Sequence, residues 1–415
     1  MPVRKLNLMQ EHEIFFLSSN STSLNFTGGE LKVKETDTSS GYGIRVLDDG
    51  KVGFAYCQNN SEIKNTIAAA KDSAIFSPKS NFSFAPKASF MKLDIYDQLL
   101  DHNDYGMLRD FLEQAREGAE SLGGRSRVSV GASESLLKIE NTNGFFGEYK
   151  KTDFSLYVEC MYESGFGYSY ISSNKKPSAV GELGFFAAKM AKDMQEAKKP
   201  EPGKYDVVVE IESLESILGV LLPSFSGDWK RRGISKIENG KKYFSDNLTI
   251  TENGLAPASN AQPFDDEGTP SKELSIVKNG CASSFLYDRE TAALAGVDGS
   301  GVCSRDSSDD PPSIGSSNIL VSQGNWNDLG ELDKYIDLYY AHGSHTANPI
   351  TGDIGLEVSG AFLVERNKRT PIKGFMITGN VFDWFAHIKG IEKKQKTLGN
   401  LIAPRIAFEN VQIVA

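Results

Sequence analysis

The chain has 415 residues, of which 24% are charged and 39% hydrophobic, with a net charge of −10 and a pI near 5.2. That is enough chain for two or three domains of ordinary globular composition. The acidic balance argues against nucleic-acid binding, which needs clustered Lys and Arg, and the short basic run Lys230-Arg231-Arg232 reads as a solvated face. No stretch approaches 18 apolar residues, so no membrane span is expected, and Met1–Glu13 lacks the apolar core of a signal peptide. The four cysteines, Cys57, Cys160, Cys281 and Cys303, are dispersed and form no C-x-x-C pair. They read as reduced thiols of a cytoplasmic protein.

In chain order, short β-type runs come first: Glu13–Leu17, Leu24–Phe26, Leu31–Lys34, Gly43–Leu47 and Val52–Cys57. Turn signals separate them at Gly28-Gly29, Ser39–Gly41 and Asp48-Asp49-Gly50, which predicts an antiparallel sheet. A helix from Ser61 to about Ser77 follows, with Ile63, Ile67 and Ala70 at helical spacing. Pro78–Lys92 reads as an ordered linker. A second helix is predicted over Tyr105–Ser121, stopped by Gly123-Gly124. Strands at Arg127–Glu134, Ser135–Asn141, Gly147–Glu159 and Met161–Ile171 come next, with a turn at Asn143-Gly144. A third helix is predicted over Ser178–Lys198. The charged, Pro-rich Lys199–Gly203 is the clearest boundary in the chain.

Beyond that boundary Tyr205–Ile211 reads as a buried strand and Leu214–Leu222 as a short apolar helix closed by Pro223. β-type patterning then dominates. Asn279-Gly280 marks a hairpin, Asn318–Ser322 a strand, and Glu331–Tyr340 either a strand or a short helix. Asn380–Ile388 reads as a helix started by Asn380, and Leu401–Phe408 and Val411–Val414 as closing strands. The expected fold class is α+β, with an N-terminal region of antiparallel sheets and helices before a larger β-rich C-terminal domain. The expected units are residues 1–78, 79–198 and 199–415.

The stretch with the most site-like character is Ala341–Asn380, a Gly/His/Asn-rich loop followed by Thr351-Gly352-Asp353, two apolar runs and Gly379-Asn380. Its polar residues His342, His345, Asn348, Thr351, Asp353 and Asn380 are the candidate peptide-binding lining. H-x-x-H in such a loop could present two imidazoles to a metal, but no third ligand has a recognisable spacing, and hydrogen bonding is the simpler use. Asp265-Asp266-Glu267-Gly268 could bind a hard cation, yet it lacks the alternating spacing of a calcium loop and reads as a tight acidic turn. Asp306–Asp310 is read in the same way. Gly299-Ser300-Gly301 is too short for a nucleophile elbow. There is no P-loop and no dinucleotide fingerprint.

Several stretches together resemble the TldD/PmbA family, formerly labelled modulators of DNA gyrase: Ser40–Asn59, Ile139–Leu156, Leu248–Gly254, Pro263–Gly280, Ala347–Asp353 and the Val364–Asn380 hairpin. The resemblance implies a cytoplasmic peptidase complex. TldD-type subunits carry an H-E-x-x-x-H helix and a late Cys-Gly, which hold zinc for metal-assisted hydrolysis. TldE-type subunits lack that helix motif and pair with a TldD-type partner. Here the equivalent helix, Glu212–Leu222, contains no histidine, and Leu398-Gly399 stands where the late Cys-Gly would be. The resemblance therefore implies no catalytic residue, no metal ligand and no cofactor in this chain, with zinc in the partner and small or unfolded peptides as substrates. The alternatives are a self-sufficient metal-dependent peptidase with an atypical site around His342 and His345, or a homodimeric peptide-binding protein.

Overall fold

The computed structural model describes residues 11–366 and 368–415; the signal-peptide reading of residues 1–10 lies outside them. Strands β1 (Glu11–Thr27), β2 (Glu30–Asp48), β3 (Lys51–Cys57), β4 (Arg125–Asn141), β5 (Phe146–Tyr162) and β6 (Gly165–Ser173) form one antiparallel sheet in the order β3-β2-β1-β4-β5-β6. Two of the expected turns exist, with positive φ at Gly28 and Gly29 and at Asp49 and Gly50, the geometry that tight hairpins need. The expected turn at Ser39–Gly41 does not. β2 runs straight through it, paired residue by residue with β1 at Ser19↔Ser39, Ser18↔Ser40 and Leu17↔Gly41. The small residues serve close approach instead: a Cβ on Gly43 would come within 2.6 Å of the Ser308 carbonyl oxygen. The predicted break at Ser135 is likewise absent, because β4 is continuous, and the one expected before Met161 falls at Glu163-Ser164, between β5 and β6. β1 pairs with β4 from Glu13↔Asn141 to Thr27↔Arg127. Residues 1–78 and 79–198 thus contribute three strands each to a single sheet.

Three helices cover one face of that sheet. α1 (Ile63–Ser73) packs on Ile44, Val46 and Ala55. α2 (Tyr105–Glu120) and α3 (Gly181–Asp193) lie side by side over Leu24, Phe26, Val128, Val130, Leu156 and Val158. Asp104 caps α2 by accepting the Met107 N–H at 2.9 Å, as an N-cap carboxylate does. On the opposite face Phe15, Leu137 and Ile139 pack against Phe145 and Phe264, the latter from the C-terminal domain.

The C-terminal domain begins with β7 (Gly203–Val209), α4 (Ile211–Leu221) and the short α5 (Gly227–Arg231), where Arg231 and Arg232 pair with Asp228. Strands β8 (Ile250–Asn253), β9 (Glu273–Lys278) and β10 (Cys281–Ala282) follow, the last two joined by the expected Asn279-Gly280 turn. After α6 (Arg289–Ala295) come the ribbon β11 (Cys303–Ser304) and β12 (Ser313–Ile314), then β13 (Ile319–Val321). β14 (Lys334–His342) settles the open reading of Glu331–Tyr340 as a strand. β15 (Asp353–Glu365), β16 (Lys368–Ile372), β17 (Phe375–Asn380), α7 (Val381–Ala386), β18 (Ile388–Leu398) and β19 (Leu401–Val414) complete the chain.

β7 pairs parallel with β14 and antiparallel with β19, so β19, β17, β15, β14 and β7 close into a five-strand ring. Closure removes the free edges that an open sheet would expose. Val207 and Val209 of β7 join Leu214, Ile217, Leu218 and Leu221 of α4 in the main core, whereas Val208 belongs with Tyr340, Phe362 and Val364 against Met190 and Met194. A strand buried on both faces must be apolar at every position, and the Val207-Val208-Val209 run reflects that. The second face is also where α3 and β6 of the N-terminal region meet the barrel.

Candidate functional site

The candidate loop builds the base of the β15–β17 hairpin. Asn348 Oδ1 accepts the N–H groups of Ile350 at 3.0 Å and Thr351 at 3.2 Å. Thr351 Oγ1 donates to Asp353 Oδ2 at 2.7 Å. Asn380 Nδ2 donates to Asp353 Oδ1 at 3.0 Å and to the Thr351 carbonyl at 2.8 Å, while its Oδ1 accepts the Phe382 N–H at 3.0 Å and so caps α7. The Thr351 hydroxyl and the Asn380 amide hold the Asp353 carboxyl below its usual range. Asn348, Thr351, Asp353 and Asn380 therefore form one hydrogen-bonded knot. His342 and His345 stand apart from it. His342 Nε2 lies 2.8 Å from Ser359 Oγ, and its ring centroid is 6.2 Å from that of Tyr168. His345 is exposed in the turn Ser344–Thr346.

The contact between His342 and Tyr168 leads to residues that the sequence did not single out as a site. Phe166, Tyr168 and Tyr170 alternate along β6 and share a face. Tyr168 stacks on Tyr340 with ring centroids 4.2 Å apart, and Tyr340 Oη donates to the Tyr168 carbonyl at 2.6 Å. Tyr170 Oη donates to Glu215 Oε2 at 2.5 Å. Burial raises the Glu212 carboxyl, and Glu210 and Glu215 add to the shift. Glu212 and Glu215 also help to hold the Tyr168 phenol protonated, after burial. The period-two aromatic pattern of β6 was visible in the sequence. Nothing local says that this strand faces α4.

Beside these tyrosines the sheet face turned away from the helices is lined by small hydroxyl residues. Register places Ser39, Ser19 and Ser135 in one cross-strand row, and Ser23, Gly131, Ser155 and Ser172 in another. A third row runs Asn25, Ser129, Tyr157 and Tyr170, ending at the Glu215 hydrogen bond. These side chains are half-buried or exposed. The serines that looked like turn formers are the outward positions of long strands.

Comparison with known proteins places this architecture. A family profile described as the PmbA/TldA metallopeptidase C-terminal domain matches residues 202–415, and one described as PmbA/TldA metallopeptidase domain 1 matches residues 12–74. The chain belongs to the PmbA/TldD family. An uncharacterized protein of Methanocaldococcus jannaschii, MJ0231, is 28% identical over 403 residues, covering 96% of this chain and 95% of that protein. A Thermotoga maritima protein described as a proposed modulator of a DNA gyrase has the same fold, with a TM-score of 0.90, 22% identity and coverage of 97% and 96% of the two chains. TldE from Thermococcus kodakarensis also shares it, with a TM-score of 0.87, 20% identity and coverage of 98% and 97%.

A metallopeptidase family raises the question of zinc, and the residues of this PmbA/TldD chain do not fit it. Glu212 and Glu215 are the acidic residues of α4, Glu215 already holds a tyrosine, and the helix offers no imidazole or thiolate. Leu398 lies in the main apolar core and cannot ligate a metal. Among the described residues no group of three or more His, Cys, Asp or Glu is arranged to hold a metal ion. The acidic stretch Asp265–Gly268 is the expected tight turn: Asp265 Oδ1 accepts the N–H groups of Glu267 at 3.0 Å and Thr269 at 2.8 Å. In Asp306–Asp310 the Ser307 hydroxyl lies 2.5 Å from an Asp309 carboxylate oxygen and 2.7 Å from an Asp310 one, and its single proton serves either. Among the described residues no helix is long and apolar enough to cross a membrane.

Proposed function

We propose that this chain is a TldE-like, non-catalytic subunit of a cytoplasmic peptidase complex, and that it holds small or unfolded peptides for a zinc-bearing H-E-x-x-x-H partner. The observation that carries the reading is α4. Where a peptidase-type helix would offer two imidazoles and a free general base, α4 offers Glu215 hydrogen-bonded to Tyr170, and Glu212 half-buried beside it. Zinc-peptidase hydrolysis needs a metal-bound water next to a carboxylate, and the partner supplies both in this reading.

The contribution of this chain is then binding and orientation. His342 and His345, with the tyrosines of β6, contact the peptide. The knot of Asn348, Thr351, Asp353 and Asn380 sets the height and angle of their loop. Serine hydroxyls both donate and accept hydrogen bonds, so the open sheet face suits extended backbones of varied sequence. The test is peptide cleavage and metal content of the purified chain, alone and mixed with an H-E-x-x-x-H relative. No zinc and no cleavage alone, with cleavage in the mixture slowed by His345→Ala and by Asp353→Ala, is the expected result. Stoichiometric zinc with cleavage by the chain alone would overturn the reading, and unchanged rates in both variants would remove the loop from it.

A further inference from the structure

Two stretches far apart in sequence, Ser40–Asn59 and Pro263–Gly280, meet at one buried cluster of charges. The N-terminal sheet brings Glu13 on β1 and Arg45 on β2; the C-terminal domain brings Glu267 and Arg305. Their relative exposures are 0%, 3%, 1% and 8%. Within the sheet, Arg45 Nε donates to Glu13 Oε1 at 3.0 Å. Two further contacts cross the boundary in opposite senses: Arg45 Nη1 to Glu267 Oε1 at 2.5 Å, and Arg305 Nη2 to Glu13 Oε1 at 3.0 Å. Each side thus contributes one acid and one base, and each base reaches the acid of the other side.

The surroundings hold Glu267 and the two arginines. Glu267 Oε2 accepts the Arg289 N–H at 2.7 Å at the start of α6. Asp266 Oδ2 accepts the Arg305 N–H at 2.7 Å, and Asp265 Oδ2 the Cys303 N–H at 3.1 Å. The Phe15 ring lies 4.4 Å from the Arg305 guanidinium, and Phe82 and Phe84 lie 5.3 and 5.6 Å from that of Arg45. Gly43 leaves room for the returning loop, since a Cβ there would stand 3.0 Å from Arg305 Nη1.

We propose that this crossed quartet is the register lock that specifies where the N-terminal sheet docks on the C-terminal domain. Buried ion pairs add little net stability over apolar packing, because desolvation offsets their attraction; their attested use is to specify one arrangement among several. A slip of β1 or β2 by one residue would turn its charged side chain to the opposite face and leave three buried charges mismatched. The docking angle in turn decides whether Tyr168 and Tyr170 reach Tyr340 and Glu215. The acidic turn at Asp265–Gly268 is thereby a socket for arginine, not for a cation from solution.

The experiment compares Arg45→Met, Glu267→Gln and the Arg45→Met/Glu267→Met pair in the full chain, by thermal unfolding and by hydrogen exchange resolved along the sequence. Arg45→Met strands Glu267 and leaves Glu13 with Arg305 alone, and is expected to lower Tm by about 3 °C or more. The double variant is expected to recover part of that loss. In all three, amides of β2 around Gly43 and of Arg305–Ser308 lose protection while Val128 and Val130 under α2 keep theirs. Glu267→Gln preserves shape and so reports on the charge even where Arg45→Met folds poorly. Unchanged exchange at the boundary in Glu267→Gln, or a double variant less stable than either single one, would overturn the proposal.

Discussion

Replacing Arg405 with leucine probes the support beneath α4. Arg405 grips Glu392 with two donors, Nε to Oε2 at 3.0 Å and Nη2 to Oε1 at 2.5 Å. It also reaches Asp328 at 3.0 Å, Glu210 at 3.4 Å and Asp337 at 3.8 Å. Glu210, Asp337 and Glu392 are 3%, 3% and 5% exposed, and Glu210 immediately precedes α4. Leucine fills part of the stem's volume but leaves only Lys396 on Glu210 and Arg369 on Asp337. Stranding a buried charge costs about 3–5 kcal/mol. Because Lys396 and Arg369 remain, the lower end, about 3 kcal/mol, is expected at pH 8.

The pH dependence gives the test its sign. Burial, with Glu210 adding, pushes the Asp337 carboxyl up from 3.8 to about 6, against the pull of Arg369 and Arg405. A carboxyl raised by folding takes up a proton on folding. Its penalty is absent below the unfolded value and grows as pH climbs through the folded one. Without Arg405 the Asp337 pKa rises further, so protonation at pH 5 relieves most of the damage. The loss should shrink to about 1 kcal/mol there. Urea denaturation of both proteins at pH 5 and pH 8 reads this directly. An equal loss at the two pH values, or one below about 0.5 kcal/mol at pH 8, would refute the argument that Arg405 is neutralising buried carboxylates.

Three further outcomes are expected. Gly167→Val should lower Tm and loosen Tyr168, because its Cβ would come within 2.7 Å of the Ala191 N–H in α3; a Tm within a degree of the parent would show that α3 can move aside. Asn380→Ala removes the α7 cap and should cost about 1 kcal/mol in a denaturant titration. The Asp353 carboxyl, having lost its amide donor, should move up toward its usual range by NMR. The Glu252 carboxyl, pushed up to about 7 by burial against its hydrogen bonds from Ser317, should make the parent lose stability as pH rises from 5.5 to 8.5. Glu252→Gln should flatten that slope, and an unchanged slope would assign it to other groups.

Much of the local structure was legible. Asn279-Gly280 and Asn380 act where the sequence placed them, because capping and tight-turn geometry depend on a few adjacent residues. The misread turn at Ser39–Gly41 and the strand split at Ser135 share one cause. Serine and glycine are turn formers in isolation, but here Ser39 and Ser135 are outward positions of long strands and Gly41 is a buried one that lets Ser308 approach, and pairing across the sheet outweighs local preference. The candidate loop was found, yet its polar residues were taken as equals. Asn348, Thr351, Asp353 and Asn380 spend their hydrogen bonds on one another, which only the β15–β17 register reveals.

By itself the sequence determined the family, the α+β class, the long β-rich C-terminal half and the absence of an imidazole on α4, since each is written in consecutive residues. The tertiary structure decided which strands meet. It joined residues 11–57 to residues 125–173 in one sheet, closed β7 onto both β14 and β19, and brought Tyr168 and Tyr170 to α4 and Arg45 to Glu267. Those pairings depend on burial and register between segments far apart in the chain, where no local propensity acts.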